Sequence, residues 1–328
     1  MIVDVHTHFY PREYLALLEA HAEGIAIKVD AVGRRYLEAD GARLATLTGP
    51  MLDLADRLAA VDAQGVAVQV LSLTSPNVYV FPDHVAIQAA RLVNRAYARI
   101  KAEYPGRFCC LASVPLGTGA EADELTRAIQ ADGLDGVIVG TNVRGRPIDD
   151  PAFAAFWRRA DELALPVLLH PMAPPPALPL REFSLVPLVG FPLDTTVALA
   201  RLLYAGFVEQ YPRVKVIATH AGGALPYLLG RLDIGYSAYP ECQIAAAPPS
   251  ACARRLYYDT ISYHPPALAC LVASVGADRL LFGSDFPHVI GSVPKVVESL
   301  RRTGLESDAL DAICWRNARD GLGLAIDA

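Results

Sequence analysis

Eight short apolar runs, each followed by a helical pattern and several ending in histidine or aspartate, predict a (β/α)8 (TIM) barrel. A length of 328 residues suits one such barrel, and 53% hydrophobic with 20% charged content supplies ample core. We read residues 1–328 as a single barrel domain, with an insertion at about 10–50 that covers the barrel mouth.

The first run reads M-I-V-D-V-H-T-H, an alternating strand that ends in His6 and His8. Side chains two apart on a strand share a face, so the two imidazoles stand side by side at its carboxyl end. From about Tyr10 to Gly49 the chain is polar and mixed, and its alternating pieces, such as Ile25 to Val29, predict a small hairpin or sheet. Leu52 to Gln64 carries leucines at helical spacing and stops at Gly65; Val66 to Leu73 is the second strand, and a helix runs from about His84 to Tyr104.

The same alternation continues. Phe108 to Val114, Gly136 to Gly140, Pro166 to Leu169, Val214 to Thr219, Leu256 to Asp259 and Leu280 to Gly283 complete the eight strands. Helices are expected over Glu121 to Asp132, over Pro151 to Leu163 with Asp149 or Asp150 as cap, over about Thr195 to Gln210, and from near Pro265. A last pair covers about Val293 to Arg302 and Ser307 to Arg319. The proline-rich stretch Pro171 to Pro187 is too long for a connector and is expected to line the active-site mouth.

Composition excludes several classes of function. A net charge of -6 leaves no basic footprint for nucleic acid or an anionic membrane. No window reaches an uncharged transmembrane length, and Asp4, His6 and His8 interrupt any leader-like start. Six scattered cysteines without a C-x-x-C pair read as free thiols in a reducing cytoplasm.

The strand ends carry the chemistry. His6 and His8 end the first strand, His170 follows the fifth, His220 the sixth and Asp285 the eighth. Any one of these histidines has an ordinary explanation as a cap or a satisfied core imidazole, but strand ends of a barrel converge on one mouth. His6, His8, His170 and Asp285 thus form a nitrogen-rich ligand set with one hard oxygen, best suited to one Zn²⁺ per chain, with Mn²⁺, Fe²⁺ or Co²⁺ as alternatives. His220 either ligates a second metal or stays off the metal as acid, base or electrostatic catalyst. No lysine ends the fourth strand to bridge two metals, which favours a single ion with His220 as catalytic base.

H-T-H at the first strand, L-H-P at the fifth, T-H-A-G-G at the sixth and F-G-S-D-F-P at the eighth resemble the amidohydrolase superfamily, within it the branch of aminocarboxymuconate semialdehyde decarboxylase. The likeness extends through Gly190 to Thr196, Gly206-Phe207 to Tyr211-Pro212, Gly222 to Pro226 with Gly230-Arg231, and Arg316-Asn317-Ala318. It implies a barrel with an inserted small sheet, one Zn²⁺, and non-hydrolytic release of CO₂ from an unsaturated or aromatic acid. Residue by residue it gives His6, His8, His170 and Asp285 as metal ligands, His220 as the catalytic histidine, and Arg231 as an arginine that reaches the neighbouring subunit's site in a homodimer. Two departures concern the substrate. The family's other carboxylate-binding arginine falls on Ala45, with Arg43 two residues earlier and expected on the same strand face; Leu188 and His288 stand where the family has aromatics.

The expected enzyme is therefore a carboxy-lyase acting on a small carboxylic acid, with His220 and Asp285 as catalytic groups and Arg231, Arg43 and His288 as substrate contacts. The competing expectation is a hydrolase of a lactone, amide or related bond that uses a metal-activated water at the same site. Asn77, Tyr79 and His264 are further polar candidates for the pocket.

Overall fold

In the computed structural model, which describes residues 1–39, 41–172 and 180–326, eight parallel strands follow one another around a barrel. In chain order the strands are β1 (Val3–His8), β2 (Ile25–Val29), β3 (Arg35–Ala39), β4 (Ala42–Thr46), β5 (Val68–Ser72), β6 (Phe108–Ser113), β7 (Gly136–Gly140), β8 (Asn142–Val143), β9 (Arg146–Pro147), β10 (Pro166–His170), β11 (Lys215–Ala218), β12 (Tyr257–Asp259) and β13 (Leu280–Leu281). The barrel order is β1-β5-β6-β7-β10-β11-β12-β13, with β2-β3-β4 and β8-β9 as separate small antiparallel sheets. Backbone bonds from Val5 N to Phe282 O (2.9 Å) and His8 N to Phe286 O (2.8 Å) bring the last strand's exit back onto β1.

One buried cluster takes Val3, Val5, Val70, Leu111, Ile138 and Leu168, with residues of the other barrel strands, and fills the interior. Leu322, Leu324 and Ile326 of the C-terminal tail join it. Lys215 Nζ donates to Leu322 O, and Asn317 Nδ2 donates to Leu280 O; Lys215 and Leu280 begin their strands, so the tail closes the amino-terminal end of the barrel. The carboxyl-terminal end is left for chemistry.

Helices α1 (Arg12–His21), α2 (Gly49–Leu52), α3 (Leu54–Asp62), α4 (Asp83–Glu103), α5 (Glu121–Gln130), α6 (Ala154–Glu162), α7 (Phe191–Tyr204), α8 (Phe207–Gln210), α9 (Leu225–Ala238), α10 (Pro249–Ala253), α11 (Pro265–Val275), α12 (Val293–Arg301) and α13 (Ser307–Asp311) surround the strands, and a π-helical turn spans Ala312–Gly321. Asp53 caps α3 through the amides of Ala55 and Asp56, and Asp150, not Asp149, caps the turn that opens α6. The expected helix over 195–210 begins earlier, at Phe191, and breaks at Gly206, whose φ of 68° starts α8.

The insertion contains the expected small sheet, preceded by a helix that the sequence reading did not expect. Its α1 buries Tyr14, Leu15 and Leu18, a one-turn apolar stripe, ahead of the three-stranded sheet. Helix α9 is absent from the sequence expectation because Tyr227 and Ile234 leave apolar side chains on its exposed face, which blurs the amphipathic pattern. The stretch Val186–Tyr204 has the length and mean hydropathy of a membrane span, yet half of it is buried in the fold and it contains Asp194 and Arg201. Of the proline-rich stretch, residues 173–179 lie outside the described residues, as does Asp40 of the insertion.

Candidate active site

The barrel interior takes Val3 and Val5, so simple alternation would turn His6 and His8 away from it. A register shift in the β1–β5 pairing between Asp4 and Thr7 resolves this: the bulge resets the parity and aims both imidazoles into the mouth. His170 arrives at the end of β10, and Asp285 follows β13 with a left-handed φ of 62°. One ligand atom from each of His6, His8, His170 and Asp285 lies within 4.8 Å of the others, and all four residues are buried.

Each of the three imidazoles has its Nδ1 engaged outward. His170 Nδ1 donates to Pro171 O at 2.9 Å, and His6 Nδ1 donates to Asp259 Oδ2 at 2.7 Å. Ser72 gives its hydroxyl proton to Thr7 O, so its oxygen accepts from His8 Nδ1 at 3.0 Å. By elimination all three Nε2 atoms present lone pairs to a common centre. His6 and His8 Nε2 approach to 3.0 Å, and Asp285 Oδ1 stands 3.2 Å from His8 Nε2 and 3.6 Å from that of His6. Bare lone pairs at that spacing repel, and a divalent cation among them would turn the repulsion into coordination, so the donor set fits a metal.

Electrostatics agree with that assignment at His8 and His170, whereas at His6 burial lowers the imidazole but its bond to the Asp259 carboxylate outweighs this and raises it. Burial pushes the His8 imidazole down to about 3, and burial together with neighbouring imidazoles holds His170 well below its ordinary value. Both stay neutral, as ligands must. Burial acts against the charge of Asp285, but His288, His220 and His8 override it and hold the carboxyl well below the usual range.

His220 stands beside this cluster. Its Nε2 lies 3.9 Å from Asp285 Oδ2, and among the described residues no group pairs with its Nδ1. Its ring centroid is 5.3 Å from that of His6. His220 and Ala221 both have left-handed backbone, φ 53° and 55°, on the turn that follows β11. Asp259, which the sequence reading treats only as the end of a strand, holds this turn through the amides of His220 and Ala221 as well as binding His6. The rule that finds Asp285, an acid at a strand's carboxyl end, applies equally to Y-Y-D at β12.

A cavity of about 360 Å³ opens above the cluster, bordered by His170, His220, Asp285 and His288 on its polar side and by Leu188 and Phe191 among its apolar walls. The His288 ring lies 5.2 Å from that of His8. Ala45 and Arg43 both border the cavity, but not from one strand face: Leu37 pairs with Ala45 and Glu38 with Arg43, leaving Leu44 as a bulge that flips the parity. Arg43 instead stacks 3.9 Å from the Tyr36 ring centroid and pairs with Asp30 at 3.1 Å. Arg231 is exposed on α9 and does not border the cavity of its own chain. Asn77 is spent on Leu73 O and Val78 N, Tyr79 meets the Gly140 amide, and His264 precedes α11; none of the three borders the cavity.

A barrel whose strand ends gather three imidazoles, a carboxylate and a free histidine under an apolar cavity defines a class of metal-centred enzymes. The chain belongs to the amidohydrolase family, whose model matches residues 3–324. It is 28% identical to the 2-amino-3-carboxymuconate-6-semialdehyde decarboxylase of Dictyostelium discoideum, over 98% of this chain and 91% of that one. It is 32% identical to the gamma-resorcylate decarboxylase of Rhizobium sp. (strain MTP-10005), over 72% of this chain and 78% of that one. Among solved structures, 2,6-dihydroxybenzoate decarboxylase complexed with 2,6-dihydroxybenzoate superimposes with a TM-score of 0.78 at 25% identity, covering 98% of this chain and 99% of the other.

Proposed function

We propose that this protein is a metal-dependent, non-hydrolytic decarboxylase of small aromatic or unsaturated carboxylic acids. The observation that carries the reading is a histidine, His220, held beside a buried His₃Asp donor set but outside it, in a chain whose relatives release CO₂ from such acids. His6, His8, His170 and Asp285 would hold the ion, and three nitrogens with one carboxylate oxygen suit Zn²⁺, with Mn²⁺, Fe²⁺ and Co²⁺ as competing loads. When bound, a divalent ion supplies Lewis acidity that stabilises negative charge developing on the substrate.

The protein's own groups do the rest. His220 Nε2 delivers a proton to the carbon that loses its carboxyl group; the electrons of the breaking C–C bond take up that proton, and CO₂ departs. His288, which also borders the cavity, meets a substrate hydroxyl or carboxylate, and Leu188 and Phe191 keep the cavity apolar, which favours departure of neutral CO₂. Arg43 contributes from the rim only by leaving Asp30, to which it is paired.

Arg231 serves the site of a second copy in a homodimer. Support comes from the apolar surface around it: Tyr227 and Ile234 on α9 and Val197 on the adjoining α7 are 84%, 70% and 59% exposed. Six unpaired cysteines suit a reducing cytoplasm.

Metal analysis and CO₂ release, measured on the wild type and on His220→Ala against a panel of hydroxybenzoic and muconate-type acids, test the reading. One ion per chain in both proteins, with CO₂ released only by the wild type, supports it; cleavage of lactones or amides without CO₂ release overturns it.

A further inference from the structure

The carboxylate of Asp259 lies beneath two groups that the proposed chemistry keeps apart. Its Oδ2 accepts from His6 Nδ1 at 2.7 Å and from the His220 amide at 2.9 Å, while Oδ1 accepts from the amides of Ala221 at 2.8 Å and Ile261 at 3.0 Å. Four donors on two oxygens leave the fully buried group with little freedom. Close approach is built in on the other side by Gly283, where a Cβ would come to 2.8 Å from Asp259 Cβ and 3.1 Å from His6 Cβ. The two amides it binds on the β11 turn belong to His220 and Ala221, both in left-handed backbone that L-residues avoid.

We propose that Asp259 is a positioning residue that uses one carboxylate to set both the metal affinity of His6 and the placement of His220. Toward His6 it fixes the Nδ1–H tautomer, turns Nε2 to the donor cluster and strengthens it as a ligand. Toward His220 it holds the strained turn that sets the imidazole at the cavity beside the cluster. The two effects share an atom, Oδ2, so the ion's ligand and the proton-carrying group are fixed relative to each other through a side chain that borders neither the cavity nor the substrate. The inference rests on the metal-centre reading given under Proposed function.

The test is Zn²⁺ affinity by chelator competition on the full chain, for wild type, Asp259→Asn and Asp259→Asn/Ala221→Gly, with kcat and KM at saturating Zn²⁺. Asp259→Asn is expected to weaken Zn²⁺ binding roughly 10- to 100-fold and, at saturating metal, to lower kcat with KM little changed. Glycine at position 221 adopts the left-handed turn without a Cβ conflict, so the double variant is expected to regain part of kcat but none of the Zn²⁺ affinity. Should Asp259→Asn alone fail to fold, the double variant carries the same titration. Wild-type Zn²⁺ affinity in either variant overturns the proposal. A wild-type protein that binds no Zn²⁺ overturns the metal-centre reading and this inference with it.

Discussion

Asp285 places one carboxylate oxygen 3.2 Å from His8 Nε2 and the other 3.9 Å from His220 Nε2. One side chain thus borders both the donor cluster and the imidazole that stands outside it. It does so from a left-handed backbone, φ 62°, which L-residues seldom adopt. Removing a group on one side of Asp285 should therefore have a different signature from removing one on the other.

His170→Ala and His220→Ala test that separation. His170→Ala removes a ligand atom and is expected to lose the ion and, with it, all turnover. His220→Ala is expected to keep one ion per chain while kcat falls by roughly 10²- to 10⁴-fold, the range of a positioned acid or base. Metal analysis on the purified variants beside steady-state rates checks both.

Gly283→Ala is a steric test of the same frame. The added Cβ would meet Asp259 Cβ at 2.8 Å and His6 Cβ at 3.1 Å, and neither neighbour is the far end of a flexible side chain. We expect a loss of stability of about 1–3 kcal/mol, as for overpacking elsewhere, together with weaker metal binding. Urea unfolding with and without added Zn²⁺ measures both, and an unchanged midpoint would rule out the close approach.

Arg57 supports the first strand from behind. Its wholly buried guanidinium donates to Pro50 O at 3.0 Å, to Gln69 Oε1 at 2.6 Å and to the carbonyl of His8, and among the described residues no carboxylate pairs with it. Burial pulls its pKa down to about 9. Arg57→Leu removes the guanidinium donors from three acceptors, one of them the His8 carbonyl, and is expected to cost about 3 kcal/mol of stability or more. The urea midpoint reads this directly.

Complementation addresses Arg231. If it serves the neighbouring site, Arg231→Ala and His220→Ala are each inactive alone, but equal mixing after subunit exchange forms heterodimers with one intact site. Recovery of roughly a quarter of wild-type activity is expected for a two-fold dimer. No recovery would return Arg231 to the role of a surface arginine.

The gathering of His6, His8, His170 and Asp285, with His220 beside them, was legible in the sequence because parallel strands deliver their carboxyl ends to one place, so a residue type at a strand end has a spatial meaning. What could not be read was parity. Val3 and Val5 point inward along with His6 and His8 only because of a bulge in the β1–β5 register, and Arg43 parts from Ala45 only because of another at Leu44. Both depend on a partner strand and leave no local trace. Helix α9 was hidden for a related reason: Tyr227 and Ile234 face outward, so its apolar pattern answers to surface as well as core. Asp259, by contrast, was within reach of the strand-end rule.

The most direct test of the central claim is the isotopic fate of the product when the metal-loaded protein turns over an aromatic or muconate-type acid in D₂O enriched with ¹⁸O. A decarboxylase releases CO₂ matched by product carrying one deuterium on the carbon that bore the carboxyl group, with no ¹⁸O in the product skeleton. An acid product containing solvent ¹⁸O, formed without release of CO₂, would contradict that claim and assign the same site to hydrolysis.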